Sequence, residues 1–162
     1  MSNIVNINIK ILKGLTGDGV ARGIYCLVLH LNENKNMVID RKNIKLPEGF
    51  YCYVDSHHDL NNRIKEHVTV FSRKNVQKKN MKIDHVIKHA NQILYHNTLE
   101  TEKYSACKIN RELKALSEYS IKGFGLSCNC KSHLHYFKEN PLFLKEFHHV
   151  FEGRKSSQTD KL

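Results

Sequence analysis

Four side chains that commonly bind zinc lie within eight residues in the carboxyl-terminal part of the chain: Cys128, Cys130, His133 and His135. Thiolate sulfur and imidazole nitrogen are the usual ligands of structural zinc. Such sites usually join two separated pairs, because one short segment does not easily wrap around a tetrahedral ion. The spacing therefore argues against zinc and predicts buried thiols with a packed or phosphate-facing His133. Stoichiometric zinc would instead favour a zinc-stabilised protein-interaction module.

A second chemical feature is the excess of basic residues. Lys and Arg number 26 against 16 Asp and Glu, a formal net charge of +10. Nucleic acid is the commonest partner of such a domain, because each phosphate that is neutralised releases condensed counterions. A basic surface that serves solubility, ribosome association or binding to an anionic membrane is the alternative. One segment could follow a phosphate backbone or form a solvated loop, and its cations are Arg73, Lys74, Lys78, Lys79 and Lys82.

Targeting signals are not evident in the sequence. Residues 1–12 alternate apolar and polar side chains and lack the charged head and apolar core of a signal peptide. No stretch approaches the ~20 apolar residues that span a bilayer. The five cysteines are an odd number and are scattered along the chain, which favours reduced thiols over a disulfide framework. We therefore expect a cytoplasmic protein without membrane segments.

The elements that must position these residues follow a mixed pattern of strands and helices. Short alternating or apolar runs predict strands, and apolar residues at spacings of three and four predict helices. We expect strands at residues 7–11, 23–31, 37–46, 50–55 and 92–96, with 37–46 forming a hairpin with 23–31. Helices are expected at 59–71, 83–89, 101–119 and 141–151. The pattern predicts one α+β domain over residues 1–152, followed by a flexible tail at 153–162.

Several motifs occur in a fixed order along these elements. Gly23-Ile24-Tyr25 opens the apolar strand, and Tyr53-Val54-Asp55-Ser56 ends the third predicted strand. The next helix carries Leu60, Arg63 and His67, and Ile83-Asp84 follows the basic segment. A signature of glycine, cysteine and histidine residues then spans 123–137. This series resembles the GIY-YIG nuclease superfamily, in its Uri-type endonuclease branch, over about residues 23–137.

The resemblance implies a small, mostly antiparallel sheet flanked by helices, and a metal-dependent endonuclease. It implies that Tyr25 or Tyr53 positions or deprotonates the attacking water. An ordinary tyrosine has a pKa near ~10 and is a poor base at neutral pH. Arg63 would supply the cation that such a tyrosine needs and would contact the phosphate through its planar fork. His67 is expected in the same site, and Mg²⁺ or Mn²⁺ is the implied cofactor.

Two positions depart from the motif in ways that affect metal binding. Asp55 stands where the resemblance implies a glycine, and a carboxylate there would repel phosphate unless it binds a metal. Ala106 stands where the metal-binding glutamate is implied, and a methyl group cannot bind Mg²⁺. Glu102, one helical turn earlier, is the substitute that we expect. The leading prediction is a DNA endonuclease, acting on damaged or branched DNA in repair. The alternative is a catalytically degenerate nucleic-acid-binding module on the same scaffold.

Overall fold

The computed structural model describes residues 22–73, 81–100, 105–126 and 128–155. In chain order the elements are β1 (Gly23–Leu31), β2 (Lys35–Ile39), β3 (Lys42–Leu46), β4 (Gly49–His57), α1 (Leu60–Ser72), α2 (Lys82–His89), β5 (Gln92–Glu100), α3 (Ala106–Leu116), β6 (Tyr119–Ser120), β7 (Leu134–Phe137), a 3-10 turn (Pro141–Phe143) and α4 (Lys145–Lys155). The predicted α+β class is confirmed. Within the described ranges, no helix is long and apolar enough to cross a membrane.

The main sheet has five strands in the order β5-β1-β4-β7-β6, and each neighbouring pair is antiparallel. Strand β1 lies between β5 and β4, and its residues are almost all buried. Its register against β4 runs from Gly23 opposite His57 to Leu31 opposite Gly49. The continuous apolar run therefore predicted an interior strand correctly, because both of its faces are covered by helices.

The predicted strand at 37–46 is wrong in two respects. It is two strands, β2 and β3, which form their own two-stranded sheet. Asp40 and Arg41 both have positive φ, 50° and 64°, and form the tight turn between these strands. A two-residue hairpin turn needs this conformation, although its usual signal is Asn-Gly or Asp-Gly. Strand β1 therefore pairs with β4 and not with residues 37–46.

The two faces of the sheet hold two separate cores. Successive residues of a strand point to opposite faces. On one face Tyr25, Leu27 and Tyr53 pack with apolar residues of α1 and α2. On the other face Ile24 and Val54 pack with residues of α3 and α4. Side chains of one motif are therefore divided between two layers of the molecule.

Side-chain caps place the starts of two helices. Asp59 caps α1 by accepting a hydrogen bond from the Asn62 backbone amide at 3.0 Å. Ser105 caps α3 in the same way, with the Lys108 amide at 3.2 Å. Such caps satisfy amides that have no partner within the helix.

Helix α3 is shorter than the predicted 101–119, because its cap is at Ser105 and strand β6 begins at Tyr119. Residues 101–104 lie outside the described ranges. The predicted helix at 141–151 is divided into the 3-10 turn and α4. Helix α4 continues to Lys155, so the tail expected from Gly153 begins too early. The strand expected at 7–11 lies outside the described residues.

Candidate functional site

The structure brings Tyr25, Tyr53 and Arg63 together, as the motifs predict. The two tyrosine rings lie on neighbouring strands, with their centroids 6.2 Å apart. Burial raises the pKa of Tyr25 well above its ordinary value, Tyr53 and Asp55 add to the rise, and the charge of Arg63 opposes it. Burial likewise raises the pKa of Tyr53 far above 10, with Asp55 adding to the rise and Arg63 again opposing it. Both tyrosines are therefore held in the neutral form.

Tyr25 belongs to a buried chain of hydrogen bonds with His67 and Asp84. Its hydroxyl lies 2.9 Å from Nε2 of His67, and Nδ1 of His67 lies 3.0 Å from Oδ1 of Asp84. The other oxygen of Asp84 accepts a hydrogen bond from the Met81 amide at 3.1 Å. The carboxylate can only accept, so Nδ1 carries the ring proton and Nε2 accepts from Tyr25. Two motifs that are separate in sequence, on α1 and α2, form one network.

Tyr53 makes a different contact, with Asp55 on its own strand. The Tyr53 hydroxyl donates to Oδ2 of Asp55 at 3.2 Å, and the Ser56 amide donates to Oδ1 at 2.7 Å. Burial raises the pKa of Asp55, although these two hydrogen bonds and the charges of His133 and Arg63 oppose the rise. Asp55 thus connects the tyrosine cluster to the end of β4.

An open cleft of about 700 Å³ lies beside Asp55, where β4 ends, β1 begins and α3 starts. Asp55 is the one carboxylate among the described residues that line it. Ala106 lies on the α3 side of this cleft and offers no ligand. The remaining lining includes three polar or cationic side chains at the strand ends, Arg22, His57 and His58. Tyr25 and His67 are not among the lining residues and are 0% and 1% exposed.

Arg63 is not among the described residues that line this cleft. Its guanidinium Nη1 is 3.0 Å from Oε2 of Glu66, and its side chain is 19% exposed. Its Nε is buried and has no hydrogen-bond partner among the described residues. The predicted contact of Arg63 with phosphate stays a prediction. Glu102, the predicted metal ligand, lies outside the described residues.

A second group of chemically active side chains lies between α3 and the loop before β7. Cys107, Cys128, Cys130 and His133 place their ligand atoms within 4.8 Å of one another, and this cluster could hold a metal ion. Sγ of Cys128 lies 3.1 Å from Nε2 of His133. The five cysteines of the chain are free thiols. The expectation against zinc was wrong in its reasoning, because it counted ligands from one segment and missed Cys107, which α3 contributes.

His135, the fourth ligand suggested by spacing, faces elsewhere. Its Nδ1 lies 2.9 Å from Oγ of Ser120, and its Nε2 contacts the side-chain oxygen of Asn110. His133 is fully buried, with Nδ1 2.9 Å from the carbonyl oxygen of Val54. This burial suits a metal ligand, but His133 also lines the cleft beside Asp55, and its predicted contact with phosphate stays a prediction.

The thiols of the cluster differ in acidity. Burial alone would raise the pKa of Cys128, but hydrogen bonding with the Cys130 amide and with the side chains of Cys107, His133 and Cys130 outweighs it, and the pKa is lowered to about 6. Burial, together with hydrogen bonding to Cys128 and Cys130, raises the pKa of Cys107 to about 12.

The basic residues predicted to bind nucleic acid are described only in part. Arg73 is exposed at the carboxyl end of α1. Lys82 is exposed at the start of α2, with Nζ 3.0 Å from a carboxylate oxygen of Asp40 and 3.3 Å from the Gly123 carbonyl oxygen. Lys74, Lys78 and Lys79 lie outside the described residues. The role of this segment in binding stays a prediction.

The sequence analysis missed a second, more basic cleft of about 790 Å³ on the other side of the cysteine cluster. Four cationic residues line it, and no carboxylate is found among its described lining residues. Two of the cations come from α3 and two from the segment between β6 and β7: Arg111, Lys114, Lys122 and Lys131. The signal that could have shown the first two is their spacing of three on one helix.

The fold and site thus define an α+β domain with a basic cleft, a carboxylate-bearing cleft and a thiol-imidazole cluster. The chain belongs to the family described as Domain of unknown function DUF123, whose model matches residues 24–156. Neither the curated proteins nor the solved structures include a match to this chain.

Proposed function

We propose that this domain is a metal-dependent endonuclease that hydrolyses phosphodiester bonds of DNA in the cleft beside Asp55. The observation that carries the proposal is the position of Asp55. Its carboxylate is held by Tyr53 and the Ser56 amide, and it lines an open cleft together with His57 and His58. A fixed carboxylate beside cationic or polar groups suits a phosphate that is bound through a hydrated divalent ion.

Asp55 is chemically suited to hold Mg²⁺ or Mn²⁺. Mg²⁺ takes oxygen ligands and usually keeps several waters while binding one or two carboxylates. Each Asp55 oxygen accepts one hydrogen bond, and a carboxylate has about four lone-pair sites, so capacity remains for an ion. When bound, the ion would stabilise negative charge on the phosphate and acidify a coordinated water. In this proposal the carboxylate has moved from the α3 side of the cleft, at Ala106, to the β4 side.

The tyrosines have positioning roles in this proposal. Tyr53 orients Asp55 through its hydroxyl, and Tyr25 packs α1 against the sheet through His67. Because burial keeps both hydroxyls neutral, we do not assign either as the base. His57 and His58 line the cleft, and imidazole is the most frequent general base in enzymes. We assign proton transfer and phosphate contact to these two side chains.

A non-catalytic nucleic-acid-binding module is the second candidate, and a separate observation favours it. The basic cleft gathers four cations without a carboxylate among its described lining residues. Such a surface neutralises phosphates whether or not cleavage follows. Ala106 also removes the carboxylate that the motif implies on α3.

Cleavage assays would test the first candidate. Labelled single-stranded, duplex and branched DNA should be cut with Mg²⁺ or Mn²⁺ by the natural chain. The variant Asp55→Asn should lose on the order of 10²–10³ in rate. Glu139→Gln, which removes one exposed carboxylate after β7, should leave the rate unchanged. Equal cleavage by the Asp55→Asn variant would contradict the assignment.

Binding assays would separate the two candidates. The pair Arg111→Ala and Lys114→Ala should weaken DNA binding and reduce the slope of log K against log salt by about 2. The control pair Lys42→Ala and Lys45→Ala changes exposed residues of β3 and should have a smaller effect. Salt-dependent binding without cleavage would support the binding module. Absence of binding at low salt would contradict both candidates.

A further inference from the structure

We propose that Cys107, Cys128, Cys130 and His133 bind one zinc ion that joins the start of α3 to the loop before β7. The proposal is independent of nuclease activity and of DNA binding. The cluster can hold a metal ion, and we infer that this ion is zinc and that its role is structural.

The ligand set favours zinc over Mg²⁺ and Mn²⁺. Three thiols and one imidazole converge, with all four ligand atoms within 4.8 Å of one another. Soft thiolate ligands suit zinc, whereas Mg²⁺ and Mn²⁺ prefer carboxylate and water oxygens. Ligands of a tetrahedral zinc site lie about 3.5–3.8 Å apart, given bond lengths of about 2.0–2.3 Å. Small side-chain movements would therefore close the cluster around an ion.

His133 is oriented as a zinc ligand requires. The carbonyl oxygen of Val54 can only accept a hydrogen bond, so the Nδ1 at 2.9 Å from it carries the proton. The lone pair of Nε2 is then directed toward Sγ of Cys128, 3.1 Å away. A histidine ligand of zinc usually donates its other N–H to a carbonyl or carboxylate in this way. Val54 belongs to the interior strand β4, which holds the ring in place.

The backbone around His133 is also held on both sides. Its amide donates to the Phe124 carbonyl at 2.8 Å, and its carbonyl accepts from the Val54 amide at 3.2 Å. Asn110 of α3 donates to the Ser132 carbonyl at 2.9 Å. The imidazole ligand is therefore preorganised before the cysteines of the loop are bound.

The proposed ion has a structural position in the wall between the two clefts. Cys107 and Cys128 line both clefts, the one beside Asp55 and the basic one. The segment between Phe124 and β7 has no helix or strand among its described residues. A zinc ion that joins this segment to α3 would hold both cleft walls at a fixed separation.

Elemental analysis of the purified chain tests the proposal. We expect one zinc per chain without added metal, retained through dialysis. Cobalt titrated into the metal-free protein should show thiolate charge-transfer bands and the intense visible bands of a tetrahedral ion. Zinc content should fall well below one per chain in Cys107→Ser and in Cys128→Ser, because each variant removes one of the four proposed ligands. Cys52→Ala, which removes a buried thiol elsewhere, should retain the full zinc content.

Several outcomes would overturn the proposal. Zinc far below one per chain, both as purified and after reconstitution, would do so. A cobalt spectrum without thiolate bands, or full zinc content in folded Cys107→Ser, would also contradict it. If a cysteine variant does not fold, the zinc content and cobalt spectrum of the natural chain still decide the matter. A disulfide between cluster cysteines in protein kept reduced would exclude the zinc site.

Discussion

Two buried histidines, His67 and His133, both use Nδ1 to bind a fixed oxygen atom. They differ in the groups that face Nε2. His67 lies on the buried face of α1, with Nδ1 3.0 Å from a carboxylate oxygen of Asp84. His133 lies beside α3, with Nδ1 2.9 Å from the carbonyl oxygen of Val54. In both, Nδ1 donates to a fixed oxygen, so Nε2 is the nitrogen that presents a lone pair. The two residues are 1% and 0% exposed, so neither ring relies on bulk water.

The groups that face Nε2 make the difference. Tyr25 donates one strong O–H to Nε2 of His67, so donors and acceptors alternate along the chain and each is satisfied. Nε2 of His133 faces a cluster of three thiols, which form only weak hydrogen bonds with one another. Ligand atoms that converge without strong donors among them are best satisfied by a cation. A buried histidine whose Nε2 faces a strong hydrogen-bond donor belongs to a hydrogen-bonded chain. A buried histidine whose Nε2 faces several thiols fits a metal site.

Removal of the proposed zinc should have the largest effect. At free zinc about 1,000-fold above its Kd, binding contributes about 4 kcal/mol to the free energy of unfolding. A strong chelator should therefore lower the Tm of the natural chain by on the order of 10 °C. Thermal unfolding with and without chelator measures this. A Tm unchanged in a protein shown to have lost its zinc would contradict the structural role.

Substitution of His67 should have the next largest effect, and the effect should not depend on zinc. His67→Leu leaves the buried Asp84 carboxylate and the Tyr25 hydroxyl without their common partner. Leaving a buried carboxylate without its hydrogen-bond donor costs about 3 kcal/mol or more. Urea unfolding with and without chelator measures the loss. A cost that appears only in one of these conditions would mean that the two regions are coupled.

The smallest effect is expected for Tyr25→Phe, which removes one hydroxyl from the chain. The lost hydrogen bond to His67 should reduce the free energy of unfolding by about 1 kcal/mol, with zinc content unchanged. Urea unfolding and elemental analysis measure these quantities. The same variant tests the role of Tyr25 in catalysis. If cleavage is abolished while stability falls only slightly, Tyr25 is a catalytic residue and its assignment to positioning is wrong.

Features that depend on neighbours in sequence could be predicted. The apolar run of β1 and the helix at α1 depend on residues within a few positions, so local periodicity shows them. The convergence of Tyr25, Tyr53 and Arg63 was predicted from the resemblance of their motifs, and local periodicity alone did not show it. The turn at Asp40 and Arg41 was missed, because its positive φ values occur in residues that rarely signal a hairpin.

By itself the sequence determined the α+β class, the interior position of β1 and the set of residues from which a site could be built. Only the tertiary structure decided which of them meet. It replaced His135 with Cys107 in the thiol-imidazole cluster, and it placed Asp55 and Ala106 beside the same cleft. Contacts between distant segments depend on strand order and on how helices pack against the sheet, which no local pattern specifies. The thiol-imidazole cluster and the cleft beside Asp55 both consist of such contacts between distant segments.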